Sequence, residues 1–94
     1  MTRLRHEVRN RSEEDLFVFF ELSTMRYRLK PGESFYFFYP SEHPNRPQNE
    51  TGRSVPLITE FVGQSELIIW INYGCEDGPY LPGGTEAEPD YGFN

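Results

Sequence analysis

The chain has 94 residues, of which 36% are hydrophobic and 26% charged. That is enough for one small domain burying about 60–65% of its unfolded surface, and no apolar run approaches the roughly 18 residues of a membrane-spanning helix. The net charge of −6 disfavours general nucleic-acid binding, because an acidic domain repels the phosphate backbone. Eight Phe, six Tyr and one Trp are too many aromatics for a disordered chain, whatever the Gly and Pro content implies.

The charge is unevenly spread. Residues 1–30 hold seven Arg or Lys against five acids, for +2, and residues 31–94 hold two against ten, for −8. Met1-Thr2-Arg3-Leu4-Arg5-His6-Glu7 carries charge where a secretory leader needs an apolar stretch. With Cys75 as the single cysteine, no internal disulfide forms, and a cytoplasmic protein is expected.

Helix signals are almost absent, with alanine only at Ala87. Aromatic and β-branched residues instead cluster in runs of strand length separated by Pro, Gly, Asn and Ser. The first run, Arg3 to Arg9, puts Leu4, His6 and Val8 on one face and charges on the other. After the polar turn at residues 10–15, Leu16 to Leu22 is apolar on both faces and should be central. A short strand at Arg26 to Leu29 follows. Lys30-Pro31-Gly32-Glu33 then predicts a type II turn, since proline sets φ at the first central position and glycine supplies positive φ at the second. Ser34 to Tyr39 carries five consecutive aromatics on alternating faces. Residues 41–55 form a Pro-rich loop long enough to suggest function or mobility. Leu57 to Val62 and Glu66 to Tyr73 flank the short link Gly63-Gln64-Ser65, and Pro79-Tyr80-Leu81 is a last edge strand.

The expected fold is all-β. It is a small antiparallel β-sandwich or partly open barrel of six to seven strands over residues 1–82, with a flexible acidic tail over 83–94. Antiparallel order is expected because the links are too short for crossover connections.

Site chemistry is sparse. His6, His43 and Cys75 lie far apart in sequence, without the close spacing of a zinc site, so no metal or cofactor is expected. Cys75 sits beside Glu76 and Asp77, which raise rather than lower a thiol pKa, and an incidental turn residue explains it better than a nucleophile. The acids Glu13, Glu14 and Asp15, like Glu76 and Asp77, read as solvated turn residues rather than general acid–base pairs. Arg26-Tyr27-Arg28 beside the Phe35 to Tyr39 strand resembles a base-stacking platform, but alternation alone accounts for it.

The aromatic surplus is the sharpest signal. Phe17, Phe19, Tyr36, Phe38 and Trp70 alternate away from the expected core, and an exposed face of that kind marks a protein partner or a homodimer. Coverage of both faces by the long loop and the tail is the competing explanation. A second expectation is a small-ligand pocket or cryptic enzyme between the sheets, lined by Tyr27, Tyr36, Phe38 and Trp70. A third is an acidic inhibitor or immunity-type protein binding a basic partner through its −8 segment.

Asn10-Arg11-Ser12, an apolar strand, Tyr27-x-Leu29-x-Pro31-Gly32-Glu33 and a late Ile69-Trp70 strand resemble a group of small bacterial hypothetical proteins over residues 8–80. The resemblance implies a small all-β fold and no activity. The loop at 40–56 and the acidic tail depart from it. Asn10-Arg11-Ser12 and the Pro31-Gly32 turn are also similar to the β-sandwich domain of the von Hippel–Lindau tumour suppressor, which binds a peptide along a strand edge; that likeness is analogy alone.

Overall fold

A computed structural model describes residues 3–21, 24–41 and 55–90. Within them the chain is all-β, with seven strands: β1 (Arg3–Arg9), β2 (Leu16–Phe20), β3 (Met25–Leu29), β4 (Ser34–Pro40), β5 (Leu57–Phe61), β6 (Glu66–Ile71) and β7 (Asp77–Tyr80). They form a three-stranded sheet ordered β1-β4-β7 and a four-stranded sheet ordered β3-β2-β6-β5, which are not closed into a barrel. Each expected strand is present within a few residues of its predicted ends. The Pro-rich loop at 42–54 and the expected end of the second strand at Leu22 lie outside the described residues.

One pairing departs from the antiparallel expectation: β2 and β6 run parallel, with Phe17 opposite Glu66 and Phe20 opposite Ile69. Short links force antiparallel order only between consecutive strands. Three strands intervene here, and the chain leaves the four-stranded sheet for β4 and returns to it at β5 with its direction free.

The core is the set of side chains that alternate inward from both sheets. Val18, Phe20, Phe35, Phe37 and Ile69 are essentially inaccessible to solvent. Phe20 of β2 reaches across the interface to meet Phe37 edge-on at 5.0 Å and Phe35 at 6.2 Å, while Tyr27 of β3 meets Phe35 at 5.8 Å. Edge-to-face pairs of this kind add about 0.5–1.5 kcal/mol beyond their buried area. These contacts place β4, the centre of the smaller sheet, over β2 and β3. A four-stranded sheet covered off-centre by three strands has an overhang at its far side. Every residue of β5 after Leu57 is exposed.

Two turns are locked together by Asn10, which is only 2% exposed. Its Nδ2 donates to the Glu14 and Leu29 carbonyls at 2.7 and 2.8 Å, and its Oδ1 accepts from the Ser12 amide and hydroxyl. Its backbone exchanges bonds with the Gly32 amide and the Glu33 carbonyl. The expected turn at Lys30–Glu33 is present, with φ of 86° at Gly32 and a Glu33 amide bond back to the Lys30 carbonyl. The Asn-Arg-Ser and Pro-Gly-Glu motifs are thus two halves of one hydrogen-bonded joint.

Residues 83–90, expected to be loose, are tied down; residues 91–94 lie outside the described residues. Glu86 bridges Tyr80, the Ala87 amide donates to the Pro79 carbonyl, and the Asp90 amide donates to the Arg26 carbonyl at 2.7 Å. Acidic, Gly-rich composition predicts looseness only when no acceptors are on offer. The unpaired outer edges of β7 and β3 supply them, and burial of Ala87 adds to the hold.

Candidate interaction surface

The five aromatics expected to share a surface are all half-buried, and they divide between two opposite faces. Phe17 and Phe19 on β2 and Trp70 on β6 lie on the outer face of the four-stranded sheet; Tyr36 and Phe38 on β4 lie on the outer face of the three-stranded one. Three of these rings are covered by arginines. The guanidinium of Arg26 lies 4.4 Å from the Phe17 ring centre, that of Arg5 4.3 Å from Tyr36 and that of Arg3 5.2 Å from Phe38. Such cation–π stacking covers the ring with a charged, hydrated group. The Trp70 indole N–H donates to Glu60 at 2.7 Å.

The four residues expected to line a pocket do not converge. Tyr27 is buried in the core, whereas Tyr36, Phe38 and Trp70 face outward on opposite sheets. Tyr27 does line a cleft of about 330 Å³ on the flank, between the β3–β4 turn and the segment Leu81 to Glu88. Its Arg28 is engaged by Asp15 and Asp90.

Titratable groups are arranged structurally. Tyr80 donates its hydroxyl to Asp77, which also accepts from Arg3. The hydroxyl and then the guanidinium hold the Asp77 carboxyl below its ordinary value, and the same bond pushes Tyr80 up, away from neutrality. The trio pins β1 to β7 across β4. Among the described residues no three of His, Cys, Asp or Glu gather as a metal site. Cys75 is exposed in the β6–β7 turn, and His43 lies outside the described residues. No helix of the described residues is long and apolar enough to cross a membrane.

Burial lowers the pKa of His6, whose ring meets that of Phe37 at a tilt, 5.4 Å between centres. Its folded-state value is depressed below 6.5, so the unfolded chain binds the proton first. Stability therefore declines as pH drops below about 6.5, through the window between the two values. Urea midpoints taken from neutral to mildly acidic pH should fall for the wild type, and His6→Gln should flatten that slope.

The uncovered apolar surface lies elsewhere. Of the six large apolar side chains more than a third exposed among the described residues, Val55, Ile58, Phe61 and Val62 belong to β5 and its flanks, and Phe61 is 67% exposed. Sequence reasoning placed this strand but not its exposure. A signal was present: no Lys or Arg follows Arg53. The other outer edges are guarded. β1 carries Arg3, Arg5, Glu7 and Arg9, β7 contains a proline and bridges Glu86, and β3 carries Arg26 and Arg28 and accepts from Asp90. Charge, proline and covering segments are the usual protections against edge pairing. β5, with sequence LITEF, has a single charge at Glu60 and no proline along its length, and its outer edge is unpaired among the described residues.

No family model matches the chain, and neither the curated proteins nor the solved structures contain a match to it.

Proposed function

We propose that this chain is a non-enzymatic, cytosolic β-sandwich that acts as a protein-interaction module, engaging its partner by strand addition at β5. The observation that carries this reading is the concentration of exposed apolar side chains at residues 55–62 along an edge that pairs with no other strand among the described residues. Strand addition uses main-chain hydrogen bonds for affinity and alternating side chains for specificity. Both are on offer here, on a strand already paired to β6. On the outer faces, arginines cap Phe17, Tyr36 and Phe38.

Site-specific photocrosslinking in cells tests it. Benzoylphenylalanine replacing Phe61 should give a discrete covalent protein adduct, and the same group replacing Tyr36 should give none. Adducts from position 36 but not from position 61 would overturn the assignment.

A further inference from the structure

The identity of the partner follows from the phase of the β5 edge, and this step rests on the strand-addition reading above. The Val62 amide donates to Glu66 at 2.9 Å and the Asn72 amide donates to Pro56 at 3.1 Å. In an antiparallel ladder, residues alternate between bonding the neighbour and pointing away from it. The even-numbered residues of β5 therefore bond β6, and Leu57, Thr59 and Phe61 direct their N–H and C=O groups outward.

We infer that β5 pairs with β5 of a second copy of this chain, antiparallel, about a two-fold axis through Thr59. That register places Leu57 opposite Phe61 of the other copy, so both ends of the contact are apolar pairs. Thr59 meets Thr59, a favourable cross-strand pair. Ile58 stands opposite Glu60, which keeps the two carboxylates off the same rung. All three outward residues exchange both of their main-chain bonds. The neighbouring registers are worse. An axis at Glu60 sets two carboxylates directly opposite each other, and like charges there are destabilising. An axis at Ile58 leaves Phe61 beyond the end of the other copy's strand. The five-residue sequence is thus complementary to itself, as a closed two-fold contact requires. The result joins two four-stranded sheets into one continuous sheet and removes both exposed edges. A partner of different sequence would need no such self-complementarity.

Sedimentation velocity of the purified full chain, from micromolar to millimolar concentration, should show a species of twice 11.1 kDa growing with concentration. Thr59 is exposed, so Thr59→Lys leaves the fold intact and sets two ammonium groups against each other across the axis. It should weaken association about tenfold or more. Thr59→Glu should do the same, and an equimolar mixture of the two variants should restore the dimer. Circular dichroism checks that each variant is folded. A wild type that stays monomeric throughout, or a Thr59→Lys variant that dimerises as well as the wild type, would overturn the inference. If the wild type is monomeric while the group at position 61 captures a different protein, strand addition stands and only self-pairing falls.

Discussion

Phe20→Ala should remove about 3–5 kcal/mol of folding free energy, the largest loss of any single truncation considered. Domains of this kind hold only about 5–15 kcal/mol in total, so the variant should be partly unfolded at room temperature. The reason is geometric. Phe20 is 1% exposed and touches Tyr27, Phe35 and Phe37. It is the ring through which the larger sheet grips the smaller, and its removal leaves a cavity bounded by strands that cannot collapse without losing their ladders. Phe19→Ala, next to it in sequence but on the outer face, should cost far less. Urea unfolding followed by circular dichroism gives both values.

Asn10→Ala should cost about 2–4 kcal/mol, an unusual loss for a polar turn residue. Truncation leaves the buried Leu29 carbonyl without its donor and frees the Ser12 amide and hydroxyl from theirs. A buried group stripped of its partner costs its full desolvation. Asn10→Asp discriminates between size and hydrogen bonding. An ionised carboxylate accepts from Ser12 but cannot donate to Leu29, so at neutral pH it should destabilise at least as much as alanine. Ser12→Ala, which leaves both Asn10 donor bonds in place, should cost about 1 kcal/mol.

The strands were legible because β pairing has period two and the chain obeys it with large residues. Val18 and Phe20 against Phe17 and Phe19, and Phe35 and Phe37 against Tyr36 and Phe38, separate core from outer face by alternation alone. The turn at Lys30–Glu33 was equally legible, because Pro31 and Gly32 each impose a backbone angle. What sequence could not supply was long-range. Parallel pairing of β2 with β6 depends on where the chain returns after three intervening strands. The burial of Asn10 depends on two distant turns meeting. Stacking of Arg26, Arg5 and Arg3 on outward rings depends on diagonal neighbours across strands. Aromatic abundance therefore pointed to the outer faces, where arginines cap Phe17, Tyr36 and Phe38, and gave no sign that the plain residues of β5 after Leu57 are exposed.

The amide resonances of β5 test the central claim most directly. In a concentration series of the isotopically labelled full chain, the amides of Leu57, Thr59 and Phe61 should shift and become protected from hydrogen exchange as association proceeds. Those of Ile58 and Glu60, already bonded to β6, should stay protected at every concentration. The Trp70 indole resonance should report the change through Glu60, and Tyr36 and Phe38 should be silent. Shifts centred on Tyr36, Phe38 and Phe17, with Leu57, Thr59 and Phe61 unmoved, would contradict the account.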